Sequence, residues 1–103
     1  MLESLSKRSA ELREKGYTCN FQVEDGKLTS PDKAQIECTP DQIEIHHVFR
    51  FEGESNPADL SILYAIETHQ GDKGLLVDGY GAYNSEEVTR FMREVPNLPS
   101  TQS

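Results

Sequence analysis

Three apolar-rich segments within residues 42–83 constrain the fold of this chain more than any other feature of its sequence. They cover residues 43–52, 60–68 and 73–80 and follow one another with short polar connections. In the first segment apolar and mostly polar residues alternate, and a period of two is typical of a half-buried strand. We therefore predict that the three segments form an antiparallel three-strand meander.

The side-chain pattern assigns faces to these strands. In the first, one face is expected to carry Ile43, Ile45, His47, Phe49 and Phe51. The second has apolar residues on both faces, with Leu63 and Ala65 opposite Tyr64 and Ile66, which favours the central position in a sheet. Gly71 suits a tight hairpin turn between the second and third strands. Pro57 lacks the amide that a strand ladder needs, and it predicts a longer loop between the first two.

The rest of the chain predicts two helices and a ribbon. Residues 2–15 carry an apolar stripe at helical spacing and end at Gly16. Residues 17–23 alternate and lead through a turn at residues 25–26 into residues 27–29, with a further extended piece at residues 34–38. Thr39 is expected to cap a single helical turn, and residues 84–87 begin a second helix that ends at Pro96.

We predict a single α+β domain over residues 1–103 that contains an antiparallel three-strand meander, an N-terminal β-ribbon, and two helices packed on one sheet face. Residues 97–103 are expected to form a disordered tail. The other sheet face would carry an apolar patch, formed by Val48, Leu63, Ala65, Leu76 and Tyr80. Such a patch needs cover, either from the ribbon or from a second copy of the chain. The leading expectation is therefore a non-catalytic domain that binds a protein partner, or itself as a homodimer, through this face.

Charge and composition exclude several classes of partner. The net charge is −8, and residues 16–83 hold twelve acids and four bases, so a phosphate backbone would be repelled and nucleic acid is not an expected ligand. No run approaches the roughly 18 apolar residues of a membrane span. The first residues have no apolar core of a signal peptide, which favours a cytoplasmic protein with Cys19 and Cys38 reduced.

One stretch has an arrangement that suits an anion. An apolar strand ends at Asp78, a glycine-bearing loop follows, and a helix begins near Ser85, whose free amides could hold a phosphate. The candidate ligand-binding residues are Asp78, Gly79, Gly81, Asn84 and Ser85. The loop has no Lys or Arg and does not match the spacing of known phosphate loops, so glycines at a strand end explain it equally well.

A second stretch offers oxygen ligands for a hard cation such as Ca²⁺. Glu52, Glu54 and Asp59 lie in one predicted loop, although their spacing differs from an EF-hand, and a solvated acidic loop is the alternative. His46 and His47 are adjacent on a strand, so they are expected to point to opposite faces and not to share a metal ion. No catalytic motif is present, and we expect no active site and no cofactor.

Several segments together resemble a family of small, uncharacterised bacterial proteins, mainly from Bacteroidetes. The resemblance rests on the strand after Tyr17 and on residues 50–59, 62–66 and 73–81, and it covers roughly residues 5 to 95. Some members are labelled phosphoribosylpyrophosphate synthetase. That label implies a phosphoribosyl-related ligand at the loop from Asp78 to Ser85, but the loop has Gly-Tyr-Gly where a synthetase has a Thr-Gly-Thr-type turn. The resemblance therefore implies a shared fold and carries over no functional residue.

Overall fold

The computed structural model describes residues 5–51, 61–79, 85–96, 98–99 and 101–102. Two α-helices, eight strands and one 3₁₀ turn lie within these ranges. In chain order they are α1 (Leu5–Glu14), β1 (Cys19–Asn20), β2 (Gln22–Glu24), β3 (Lys27–Thr29), β4 (Glu37–Cys38), the 3₁₀ turn (Pro40–Gln42), β5 (Ile43–Phe51), β6 (Ser61–Thr68), β7 (Lys73–Gly79), α2 (Glu86–Arg93) and β8 (Thr101–Gln102). The α+β class and both helices are as predicted.

The predicted meander is present and forms the centre of the larger sheet. The strand order is β1-β7-β6-β5-β8, with β5, β6 and β7 antiparallel and β6 in the middle. The turn between β6 and β7 uses Gly71 at a φ of +96°, a left-handed conformation that glycine adopts without strain. Local turn chemistry therefore fixes the hairpin that the sequence predicted.

The ribbon includes part of the further extended piece predicted at residues 34–38, since Glu37 and Cys38 form β4, but its first residues lie elsewhere. Strands β2, β3 and β4 form a separate antiparallel sheet, with Asp25 and Gly26 in the turn. Strand β1 instead pairs in parallel with β7, so the predicted strand of residues 17–23 is divided between two sheets. In the tail that we expected to be disordered, Thr101 and Gln102 form β8 and pair in parallel with Val48 and Phe49, so for these two residues the expectation is wrong.

A β-bulge at His46 changes which residues of β5 share a face. Ile45 pairs with Ile66 and His47 with Ala65, so His46 is an extra residue without a partner on β6. As a consequence Ile43, Ile45 and Val48 pack in one core cluster, whereas Phe49 belongs to the other. The predicted face shared by Ile43, Ile45, His47, Phe49 and Phe51 is therefore wrong, because the bulge shifts the alternation by one residue.

The two core clusters cover opposite faces of the larger sheet. Leu12 of α1 packs with Phe49, Leu63 and Ala65. Val88, Phe91 and Met92 of α2 pack with the ribbon and with residues of β5, β6 and β7 that include Val48, Ile66 and Leu76. Because Leu63 and Tyr64 are neighbours on a strand, their two clusters lie on opposite faces. The predicted placement of both helices on one face is wrong, since a central strand that is apolar on both sides needs cover on each.

The same division removes the apolar patch that the sequence predicted. Val48, Leu63, Ala65 and Leu76 are at most 3% exposed, two of them on each side of the sheet. Tyr80 lies outside the described residues. The four described members are covered by α1 on one face and by α2 and the ribbon on the other. This patch therefore offers no surface to a partner.

Cys19 and Cys38 are both buried and free, and both belong to the cluster beneath α2. Burial raises the pKa of the Cys38 thiol, which keeps it protonated and unreactive. Within the described ranges, neither helix has the length or the apolar content to cross a membrane.

Candidate functional site

The bulge in β5 places a histidine beside two carboxylates that face each other across the sheet. Glu44 pairs directly with Glu67 on β6, so two carboxylates face each other across neighbouring strands. His46, the extra residue of the bulge, turns its ring towards this pair on the same side of the sheet as α1. We call Glu44, His46 and Glu67 the histidine–carboxylate cluster.

The cluster converges on one point in space. Nε2 of His46 lies 3.6 Å from Oε2 of Glu44 and 3.4 Å from Oε1 of Glu67. One ligand atom from each of the three residues lies within 4.8 Å of the other two. The side chains of His46 and Glu67 are 28% and 31% exposed and that of Glu44 is 67% exposed, so the group is accessible from solvent.

Tyr17 holds the histidine ring from the opposite side. Its hydroxyl lies 2.7 Å from Nδ1 of His46, and the two rings meet edge to face. Tyr17 follows α1 and is buried against Leu12 and Leu75, which fixes the position of the hydroxyl. Burial, and after it the charge of Glu67, raises the pKa of Tyr17 above its ordinary value, so the phenol stays neutral.

Lys73 is a cation on the strand next to Glu67. It pairs with Glu67 across β6 and β7, and its Nζ lies 5.5 Å from the centroid of the Tyr17 ring. No ion pair is formed between Lys73 and Glu67 among the described contacts. The carboxylates of Glu44 and Glu67 thus carry two negative charges, and Lys73 carries one positive charge. Part of the Lys73 interaction is with the face of the Tyr17 ring.

A cleft of about 320 Å³ opens beside the cluster, between the start of β5 and the residues that follow α2. Its polar lining consists of Asp41, Glu44, His46 and His69, and its apolar lining of Ile43, Ile45, Val95 and Pro96. The hydroxyl of Thr39 donates a hydrogen bond to the Asp41 carboxylate and lowers its pKa, which keeps Asp41 charged at neutral pH. We call this the edge cleft, because it lies at the start of β5, an outer part of the sheet that β8 does not reach. Strand β8 pairs with β5 only at Val48 and Phe49.

The predicted anion site has a different arrangement from the one we expected. Asp78 and Ser85 do meet, but Oδ1 of Asp78 accepts a hydrogen bond of 3.0 Å from the amide of Ser85. Ser85 is the N-cap of α2, so the carboxylate already satisfies an amide that an anion would need. Gly79 ends β7, whereas Gly81 and Asn84 lie outside the described residues.

Some residues of the other predicted sites lie outside the described residues, and others lie within them. Glu52, Glu54 and Asp59, the predicted hard-cation ligands, lie outside the described residues. His47 pairs with Ala65 and stacks on Phe49 with ring centroids 5.8 Å apart, so it faces the same side of the sheet as His46. The prediction that the two histidines point to opposite faces is therefore wrong, because the bulge interrupts the alternation. His69 lines the edge cleft.

Sequence reasoning missed the histidine–carboxylate cluster, because the pairing of Glu44 with Glu67 depends on the register of β5 against β6. The one local signal was Glu44 two residues before His46, which places both on one face of an extended strand.

The fold and the site define a small α+β domain with a histidine–carboxylate cluster and an acidic cleft at one edge of its main sheet. Comparison with protein-family models, with curated proteins and with solved structures finds no match.

Proposed function

We propose that the protein is a non-catalytic binding domain, and that its edge cleft receives a basic side chain from an extended segment of a partner protein. The observation that carries this proposal is the composition of the cleft. Asp41 and Glu44 supply two carboxylates, and the walls are apolar. Lysine and arginine have an apolar stem and a charged head, which match such a cleft in both parts.

The position of the cleft favours an extended partner. The outer edge of β5 already pairs in parallel with β8 at Val48 and Phe49, so this edge accepts a strand. No described strand pairs with β5 on that side between Ile43 and His47. Strand addition supplies backbone hydrogen bonds and leaves specificity to side-chain pockets, which is how several peptide-binding domains work.

The charge of the chain agrees with a basic partner. Residues 16–83 carry eight more acids than bases. This part of the chain therefore attracts a positively charged segment at distances up to about one Debye length. The cluster contains no nucleophile paired with a base, and we assign no reaction to it. An anionic ligand at Asp78 and Ser85 is less well supported, since the Asp78 carboxylate itself occupies the helix amide.

Titration of the full-length protein with a short peptide that has one central arginine tests this proposal. In buffer containing EDTA, we expect the amide resonances of Ile43, Glu44 and His69 to shift, and the shifts to decrease as salt is added. The same peptide with glutamate in place of arginine should produce no shift.

Two matched variants locate the binding. Asp41→Asn removes a carboxylate of the cleft and should weaken peptide binding. Asp25→Asn removes a carboxylate in the turn between β2 and β3 and should leave it unchanged, and asparagine tolerates the φ of +51° at this position. Equal binding by both variants would place the peptide elsewhere and contradict the proposal.

A second copy of the chain is the competing occupant. Arg90 and Arg93 form an exposed basic surface on α2 and could enter the cleft of a neighbouring molecule. Shifts of Ile43 and Glu44 that depend on protein concentration without peptide would assign the cleft to self-association.

A further inference from the structure

We propose that Glu44, His46 and Glu67 bind one divalent transition-metal ion, with Zn²⁺ as the ion that best fits the ligand set. This inference does not depend on the proposed peptide binding, although Glu44 and His46 belong to both surfaces. It rests on the distances in the cluster, on the chemistry of its ligands and on the contact that orients His46.

Two of the three distances between the ligand atoms match those around a shared metal ion. Zinc binds histidine nitrogen and carboxylate oxygen at about 2.1 Å, so two ligands at the tetrahedral angle are about 3.4 Å apart. The distances from Nε2 of His46 to the two carboxylate oxygens are 3.6 and 3.4 Å. A hydrogen bond between a ring nitrogen and a carboxylate is shorter, at about 2.9 Å. Around Nε2 the cluster is therefore more open than a hydrogen-bonded group, and the two carboxylate oxygens lie within 4.8 Å of each other, close enough to share one ion.

The ligand types select the class of ion. Imidazole and carboxylate together suit Zn²⁺ and neighbouring transition metals, whereas Ca²⁺ and Mg²⁺ prefer sites made of oxygen alone. Three protein ligands leave a fourth tetrahedral position, and the exposed side of Glu44 makes this position accessible to water. The predicted set is thus one nitrogen, two carboxylate oxygens and one water molecule.

Tyr17 completes the arrangement from outside the ligand set. A histidine that binds metal through one ring nitrogen usually donates its other N–H to a nearby acceptor, which fixes the ring. The Tyr17 hydroxyl lies at this position, 2.7 Å from Nδ1, and the neutral phenol oxygen can accept the proton. Tyr17 is therefore a positioning residue, and Nε2 is left free to face the two carboxylates.

The charge balance also favours a bound cation. Glu44 and Glu67 stand directly opposite each other on antiparallel strands, an arrangement that destabilises a sheet when both groups are charged. Lys73 offsets only part of this charge, because it pairs with Glu67 from the far side. An ion between the carboxylates removes the repulsion and adds stability to the pairing of β5 with β6.

Calorimetric titration of the EDTA-treated and dialysed full-length protein with Zn²⁺ tests the proposal. We expect one ion per chain, with changes in the ring resonances of His46, and no comparable binding of Mg²⁺ at the same concentration. His46→Gln removes a proposed ligand and should weaken Zn²⁺ binding by more than about tenfold. A loss of about tenfold already follows when a residue outside the ligand set is changed. Glu67→Gln should weaken it in the same direction, with little change in side-chain volume.

His47→Gln is the matched control, since His47 is the next residue, is similarly accessible, stacks on Phe49 and is not one of the three grouped ligands. This variant should bind Zn²⁺ as the unmodified protein does, and amide spectra of all variants report whether the fold is retained. Equal affinities for His46→Gln and His47→Gln would overturn the proposal, as would the absence of Zn²⁺ binding by the unmodified protein. Peptide binding is measured in EDTA, and metal binding is measured without peptide. The failure of one proposal can therefore be told apart from the failure of the other.

Discussion

The hydroxyl of Tyr17 and Nδ1 of His46 lie 2.7 Å apart, although 29 positions separate the two residues in the chain. This contact joins the segment after α1 to the bulge in β5. It determines where the histidine ring points, and it connects the core beneath α1 with the accessible cluster above it.

Removing this contact should affect metal binding more than packing. Tyr17→Phe keeps the buried ring and loses only the hydroxyl, so we expect Zn²⁺ affinity to fall by about 10- to 100-fold. The free energy of unfolding without metal should fall by about 1 kcal/mol, the usual net value of one hydrogen bond. Titration calorimetry and chemical denaturation measure the two quantities. Tyr64→Phe, which changes a buried tyrosine on the opposite sheet face, should leave the Zn²⁺ affinity unaltered, and a similar loss there would argue against a specific role for Tyr17.

The bulge itself can be tested by deleting its extra residue. Without His46, Ile45 and His47 become adjacent and continue the pairing that Ile66 and Ala65 already define. We expect the deletion variant to fold, with an unfolding free energy lower by no more than about 2 kcal/mol. Deletion of Ala65 from the middle of the regular strand β6 should instead move every residue on one side of the gap to the other face and prevent folding. Circular dichroism and amide spectra distinguish the two outcomes, and an unfolded His46 deletion would contradict the assignment of the bulge.

The parallel pairing of β1 with β7 depends on a glycine. A Cβ at Gly74 would lie 2.7 Å from the carbonyl carbon and the Cβ of Cys19, closer than real side chains approach. Gly74→Ala should therefore lower the free energy of unfolding by about 2 to 3 kcal/mol, as overpacking of a buried site does. Val77→Ala is the comparison in the same strand, because Val77 is 50% exposed and its truncation should cost less than about 0.5 kcal/mol. Denaturant titration measures both, and equal stabilities would show that β1 does not lie this close to β7.

Alkaline pH should destabilise the fold through Tyr64. Burial, and secondarily the charge of Asp78, raises the pKa of Tyr64 from its ordinary value of 10.0 to about 12. A folded pKa above the unfolded one means that this contribution to stability is complete below pH 10 and is lost as the pH rises towards about 12. The free energy of unfolding should decline across this range, while tyrosinate absorbance shows a late ionisation from Tyr64, beside that of Tyr17, whose pKa is also raised. In Tyr64→Phe the decline should be smaller, and an unchanged decline would assign it to other groups.

Local sequence features predicted most of the secondary structure. The second helix is present after Ser85, and its apolar residues Val88, Phe91 and Met92, which recur at helical spacing, are buried. Asp25 and Gly26 form the turn of the ribbon, and Thr39 precedes the 3₁₀ turn that begins at Pro40. These features depend on propensities and turn conformations that act over a few residues, so a single sequence contains them.

Features that depend on pairing between distant segments were not predicted. Nothing near Cys19 indicates that β1 leaves the ribbon and joins β7, because that choice depends on the space above Gly74. The bulge at His46 has no local signature in the alternation of β5. Without the bulge and the register of β5 against β6, Glu44, His46 and Glu67 could not be recognised as one site.

The sequence by itself determined the α+β class, the meander, both helices and the concentration of acidic residues in the middle of the chain, because periodicity, turn residues and charge are local properties. Only the tertiary structure decided that α1 and α2 cover opposite faces and that Tyr17, Glu44, His46 and Glu67 meet beside the edge cleft. The physical reason is that a one-residue change of strand register reverses the direction of every side chain that follows it, and the register is set by packing across the whole sheet.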